Sequence, residues 1–200
     1  FCTMDCSYCI LQAYFHPPLL QYFVNYDELL VELDRLFLKK TLSRIGTGEF
    51  TDSMIWEDWT KSLDLLVPKF SQQSKAVLEL KTKTANIKAL KTLRHNHKTI
   101  MSWSLNTPRI IKNEELQTAS LTSRLRAAAK CESWGYPLGF HFDPLVIYDG
   151  CEKEYASVVE QMFSYISSEN IVWISLGTFR FVPALKPIIQ KRFPNSKIIY

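Results

Sequence analysis

Short runs of period-two apolar character take turns with helical patterns along the chain, and this alternation restricts the fold more than any other feature. The extended runs are "SRIGTG", "AVLELKT", "TIMSWSLN", "PLGFHFDP" and "NIVWISLG". Between and around them, "YDELLVELDRLFLKK", "IWEDWTKSLDLLVPKF", "TANIKALKTLRHN", "TSRLRAAAKCESWG", "EKEYASVVEQMFSYI" and "PALKPIIQKRF" carry apolar residues at helical spacing. Asp27 is the expected N-cap of the first helix, and the second is expected to close near Pro68. Strands separated by helices of about 10–15 residues predict parallel pairing through right-handed crossovers. Five strands are legible, and a sixth is expected ahead of Cys2.

An open doubly wound sheet and a partial barrel both satisfy this alternation, and the strand faces choose between them. Glu79, Lys81 and Lys83 share one face of their strand; Ser102, Ser104 and Asn106 share another; His141 and Asp143 share a third. A sheet covered by helices on both faces reads as nearly continuous apolar sequence. A barrel lumen accepts polar side chains toward the C-terminal ends of its strands, where such folds keep their sites. The reading is therefore an α/β chain forming a partial (β/α)6 TIM-like barrel. One domain is expected over residues 1–200, as a fragment whose N-terminal segment and first strand precede residue 1.

Composition sets the outer bounds. With 46% hydrophobic and 22% charged residues the chain can bury a sizeable core. Five cysteines, an odd number in a chain of 200 residues, argue against a secreted disulfide framework and for a reducing, cytoplasmic setting. No apolar stretch approaches the ~20 residues of a membrane span. A formal charge of +4 permits a nucleic-acid partner without requiring one. The densest basic run, "KALKTLRHNHK", reads as a helix C-terminus where cations meet the dipole.

Three cysteines open the chain in "FCTMDCSYC". They suit a zinc site, an iron–sulfur cluster, or unrelated structural thiols. Tetrahedral zinc wants a fourth ligand, and His16 is the nearest candidate, but no second ligand pair follows. Three thiolates on a four-iron cluster leave one iron open to an outside ligand.

The spacing C-x3-C-x2-C of "CTMDCSYC" resembles the cluster loop of radical S-adenosylmethionine (SAM) enzymes. More specifically, "CTMDCSYCILQ" is similar to the loop of the spore photoproduct lyase family, which acts on a thymine dimer in DNA. The likeness continues through "RIGTGEFTDS", "LKTKTANI", "WSLNTPRII", "SRLRAAAKCESWGYPLGFHFDP" and "FRFVPALKPIIQKRFPNSK", nearly the whole chain. It implies a [4Fe-4S] cluster on Cys2, Cys6 and Cys9, with SAM on the open iron and a 5′-deoxyadenosyl radical as its product. It also implies an external flavodoxin- or ferredoxin-like electron donor, a DNA substrate, and a monomer without membrane attachment. A metal- or cluster-bearing nucleic-acid-binding protein without turnover, or a radical enzyme for another substrate, stays open.

The resemblance assigns further positions. Gly46, Gly48 and Glu49 match the glycine-rich segment set against the methionine amino group, though an ordinary strand-end turn also reads this way. Lys83 and Ser104 match positions that hold the methionine carboxylate, with Asn106 and Arg124 assigned to the same pocket. His141 and Asp143 are expected to bind the ribose or receive a proton, against the alternative that His141 is a hydrogen-bonded core histidine. One departure stands out. The family's hydrogen-donor cysteine aligns with Glu49, and of two relay tyrosines only Tyr8 is present, Ile10 replacing the other. Cys131 reads as packing sulfur. Cys151, in the loop beyond the fourth visible helix-flanked strand, is the candidate for a displaced thiol.

Overall fold

A computed structural model of the chain describes residues 2–14 and 21–199, so His16 lies outside the described residues. The elements are α1 (Leu11–Tyr14), α2 (Tyr26–Phe37), β1 (Ser43–Gly46), α3 (Glu57–Thr60), α4 (Leu63–Ser71), β2 (Ala76–Thr82), β3 (Thr99–Ser104), α5 (Pro108–Glu114), α6 (Leu121–Ser133), β4 (Leu138–Leu145), α7 (Cys151–Tyr165), β5 (Ile171–Thr178) and α8 (Leu185–Arg192). Short 3-10 turns occupy Lys88–Thr92 and Ser168–Asn170.

Every neighbouring strand pair is parallel, in the order β1-β2-β3-β4-β5. Each crossover lands on the adjacent strand and the order never reverses. A doubly wound sheet reverses at a switch point. A sheet wound in one direction curls toward a barrel, and these five strands form a curled half-barrel.

Period-two patterning gives each strand two fates. Leu78 and Leu80 of β2, Met101 and Trp103 of β3, and Leu138, Phe140 and Phe142 of β4 belong to the main core. They share it with Leu63, Leu66, Val67 and Phe70 of α4, Leu121, Leu125 and Ala128 of α6, and Val158 and Met162 of α7. Apolar burial of this kind is worth about 25 cal/mol per Å² and is the main force holding helices on the sheet. The alternate residues face the lumen, and parallel register sets them side by side. Lys81 pairs with Ser102, Ser104 with His141, and His141 with Ser175. A smaller cluster of Met4, Cys6, Tyr8, Ile110 and Val146 joins the cysteine loop to the segments after β3 and β4.

The helices differ from the sequence reading at several points. Asp27 does not cap α2; the helix starts at Tyr26 and the side chain of Asn25 bonds Glu28 at 2.6 Å instead. The second predicted helix is two, because Lys61 takes a left-handed φ of 54° between α3 and α4. Pro68 lies inside α4 rather than at its end, since buried Val67 and Phe70 hold the last turn on the core. "TANIKALKTLRHN" yields only a 3-10 turn, after which Asn96 and His97 both have positive φ. The basic run therefore follows no α-helix. His95 in it stacks on Tyr136 at a centroid distance of 3.7 Å.

Candidate active site

The cysteine loop lies across the C-terminal ends of β2 and β3 and is fastened there by named bonds. The Ser7 N–H donates to the Glu114 carbonyl at 2.8 Å, the Ser7 hydroxyl bonds the Glu114 carboxylate, and Gln117 N–H donates to the Met4 carbonyl at 3.0 Å. Inside the loop the Gln12 amide donates to the carbonyls of Cys6, Ser7 and Cys9 at 3.2, 2.9 and 3.3 Å. Arg192 of α8 holds the outer side, bonding Gln12 and pairing with Asp5 at 2.7 Å.

A cavity of ≈ 490 Å³ lies between this loop and the strand ends, within the size range of small-ligand sites. Cys2, Cys6 and Cys9 line one wall; Gly48, Glu49 and Asp52 line a second; Lys81, Lys83 and Ser104 line the third. All three thiols are free. Burial pushes each of them up, Cys6 to about 12, so binding a metal group there displaces protons. Among the described residues no three His, Cys, Asp or Glu side chains group as a metal ion would need.

Lys83 presents its ammonium to this space, 5.8 Å from the centre of the Tyr8 ring. Burial drives Lys83 down, but the charges of Cys6 and Glu115 outweigh it and hold the ammonium above the usual lysine range. No ion pair or hydrogen bond engages that ammonium among the described residues, and Ser104 lines the same space. Three free thiols and the Lys83 ammonium thus share a cavity with the Ser104 side chain, which fits the cluster and amino-acid moiety that the family resemblance implied.

Asp52 explains why the wall is steady. Its carboxylate accepts from Met54 N–H at 2.9 Å, the Thr82 hydroxyl at 2.8 Å and Lys83 N–H at 2.8 Å, tying the segment after β1 to the end of β2. Burial nonetheless pushes its carboxyl up. Gly48 lies so close to β2 that a Cβ would stand 3.1 Å from the Lys81 carbonyl and 2.9 Å from the Ser53 hydroxyl. The sequence reading missed Asp52, Gln12 and Glu115. The "FTDS" after the glycines was the one available signal, since Asp commonly bonds backbone amides near its own position.

Glu115 anchors a saturated neighbour of the cavity. Arg124, fully buried, donates to its carboxylate at 2.5 Å, to the Thr118 hydroxyl at 2.6 Å, and to the carbonyls of Ala119 and Ser104 at 2.9 and 2.8 Å. Tyr8 donates its hydroxyl to the other Glu115 oxygen. Burial raises the Glu115 carboxyl, but Arg124 and then Lys83 outweigh it and hold it below the usual carboxylate range.

The remaining sequence candidates stand apart from the cavity. Asn106 is engaged by the Pro144 carbonyl, Thr107 N–H and the Tyr155 hydroxyl at 3.0, 3.0 and 2.7 Å. His141 bonds Glu79 at 2.7 Å and Ser175 at 2.5 Å, deeper in the lumen. Asp143 lies against Gly177, whose Cβ would stand 2.8 Å from its carboxylate. Gly46 ends β1 outside the cavity lining. Cys151 is buried at the start of α7, and Cys131 is buried within α6. Of the hydrogen-transfer candidates, Tyr8, Ile10 and an exposed Glu49 border the cavity.

The sequence model of the spore photoproduct lyase family matches residues 1–200. This chain belongs to that family. The spore photoproduct lyase of Bacillus subtilis (strain 168) is 29% identical over 202 residues, covering 98% of this chain. That of Clostridium acetobutylicum is 28% identical over 200 residues. A solved spore photoproduct lyase complexed with dinucleoside spore photoproduct superposes with a TM-score of 0.91 at 25% identity. A mutant with bound AdoMet and dinucleoside spore photoproduct gives 0.90 at 25% identity. Each match covers 98% of this chain, which spans 59% of the length of these spore photoproduct lyases. No helix among the described residues is long and apolar enough to cross a membrane.

Proposed function

We propose that residues 1–200 form the cofactor-binding partial-barrel domain of a radical SAM enzyme that acts on a DNA lesion or a related nucleic-acid substrate. Cys2, Cys6 and Cys9 hold a [4Fe-4S] cluster, and the cavity beside them receives S-adenosylmethionine. When bound, this pair supplies a 5′-deoxyadenosyl radical after one electron arrives from an external flavodoxin- or ferredoxin-like donor. The chain's own work is to bind and aim. Lys83 and Ser104 donate to the methionine carboxylate, the Gly48–Glu49 backbone borders the methionine end, and Asp52 keeps both walls in register.

The observation that carries this reading is the Lys83 ammonium, open toward three free thiols inside one cavity. An unpartnered cation beside thiolate-forming sulfur calls for an anionic ligand. Nucleic-acid binding alone accounts for a cation there but not for three free thiols beside it.

Completion of dimer repair is a different matter. A carboxylate does not return a hydrogen atom as a thiol does, since its O–H bond is much stronger, and Glu49 holds the expected donor position at the cavity mouth. Tyr8 already donates its hydroxyl to Glu115, and Ile10 offers no relay. The chain therefore cleaves its cofactor and repairs a thymine dimer poorly. Anaerobic reconstitution with assay of 5′-deoxyadenosine against repaired dinucleotide tests both halves. Zinc uptake without iron, or no 5′-deoxyadenosine from an iron-loaded chain, overturns the reading; efficient clean repair overturns the Glu49 argument alone.

A further inference from the structure

Lys81 lines the same cavity wall as Lys83 and Ser104 but holds no part of the cofactor in the function proposed above. It stands on the lumen face of β2, beside Ser102 of β3. Among the described residues its ammonium has no ion pair and no hydrogen bond. The acids that face it are engaged elsewhere or held at a distance. Glu79 is bonded to His141 at 2.7 Å and lies 3.5 Å from Arg44. Asp143 packs on Gly177 without forming a salt bridge to Lys81.

The other charged groups lining the cavity are also accounted for. Asp5 pairs with Arg192, and Asp52 accepts three hydrogen bonds. Glu49 is exposed at the mouth. Two half-buried cations on one strand end therefore have no ion pair among the described residues; Lys83 faces the charges of Cys6 and Glu115 and takes the methionine carboxylate, whereas Lys81 faces Glu79, already bonded to His141, and Asp143. Keeping a second ammonium out of water beside a like charge costs free energy unless a ligand brings a second anion. Burial, and then Lys83, push Lys81 below the usual lysine range, by more than the charges of Asp143 and Glu79 restore.

Resting on the function proposed above, we infer that Lys81 is a specificity-determining residue that binds the internucleoside phosphodiester of the substrate. Bases and sugars are neutral near pH 7, and the phosphodiester is the anion a nucleic-acid fragment carries. A lysine recognises it as a point charge on a flexible stem, a role compatible with several backbone orientations. The substrate class is thus a phosphodiester-linked dinucleotide or longer strand, in preference to a phosphate-free dinucleoside.

The test compares equilibrium binding of spore photoproduct dinucleotide and dinucleoside, measured anaerobically on the reconstituted 200-residue chain with SAM present. The unmodified chain is expected to bind the phosphodiester form about ten- to a hundredfold more tightly. Lys81→Met should erase that preference, Lys81→Arg should keep most of it, and neither should change iron content or SAM affinity. Met replaces a half-buried, unpaired cation by an apolar chain of similar length, so thermal unfolding should confirm an intact fold. A preference that survives in Lys81→Met overturns the inference, as does a fall in SAM affinity in that variant. Failure of the underlying function looks different: the unmodified chain would then bind neither form, and this inference would fall with it.

Discussion

Glu79 lies within β2 and Lys83 just beyond its end, one in the lumen and the other at the cavity. Around Glu79 the charged and ring groups bond one another, although the buried Ser102 hydroxyl beside them has no partner. His141 lies 2.7 Å away, Ser175 bonds the other ring nitrogen of that histidine at 2.5 Å, and Arg44 stacks over Trp173 at 4.9 Å while approaching Glu79. The Lys83 ammonium lies over the Tyr8 ring and feels the charges of Cys6 and Glu115, but has no ion pair or hydrogen bond among the described residues. The difference separates two uses of buried polarity. A saturated network fixes the distance between β2, β4 and β5, whereas an open cation holds a place for a ligand. Arg124, beside the cavity but satisfied on every side, falls with Glu79 despite being the stronger cation.

This contrast can be broken most directly at the thiols. Cys6→Ala should abolish iron uptake and the brown thiolate-to-iron absorption of reconstituted protein; retained iron would show that the open region does not hold a cluster. The next largest effect belongs to the saturated side. Arg124→Met leaves the Glu115 carboxylate buried without its partner, which should cost about 3–5 kcal/mol in denaturant unfolding. A cost near zero would mean that Glu115 finds water, and that the two regions differ less than the distances indicate.

Lys83→Ala sharpens the comparison from the open side. It should weaken SAM binding about ten- to a hundredfold, from the loss of roughly 1.5–3 kcal/mol, with iron content unchanged. Stability should fall less than in Arg124→Met, because Lys83 acts on Glu115 through charge and on Tyr8 through a ring contact, with no hydrogen bond lost. Equal affinity in the variant would place the carboxylate elsewhere.

The smallest effect is a pH dependence at Glu79. Burial raises its carboxyl, but the His141 bond and the nearby charges outweigh it, and the group sits below the usual carboxylate range. A depressed folded pKa gives stability that is complete above the unfolded value of about 4.3 and is lost as pH falls through the folded value. Glu79→Gln should therefore cost about 1 kcal/mol near neutrality, and the gap between variant and unmodified chain should narrow on acidification below about pH 4. A gap independent of pH would remove charge from the account of the lumen floor.

How much of this was legible beforehand varies with the range of the forces involved. The five strands were readable because period-two patterning is local, and polar Glu79, Lys81, Ser104 and His141 on lumen faces distinguished a barrel from a doubly wound sheet. α5 was not read as a helix, although Thr107 before Pro108 is an N-cap followed by a proline at the first helical position, and the Thr107 hydroxyl does accept from Ile110 N–H. The helix in "KALKT" failed the other way, since its apolar spacing was compatible with a turn that the chain abandons at Leu93, where ψ is 133°.

By itself the sequence determined the alternation of elements, the parallel sheet, the lumen faces and the three-thiol loop, all of which follow from spacing along the chain. Which polar residues keep an open bond depends on the assembled fold. Arg124 and Lys83 look alike in sequence, and nothing local announces that Glu115, nine positions from the first and far from the second, completes the bonds of one and not of the other. Hydrogen-bond satisfaction depends on partners that meet only once the strands are in register, so occupancy of each donor is a property of the assembled barrel.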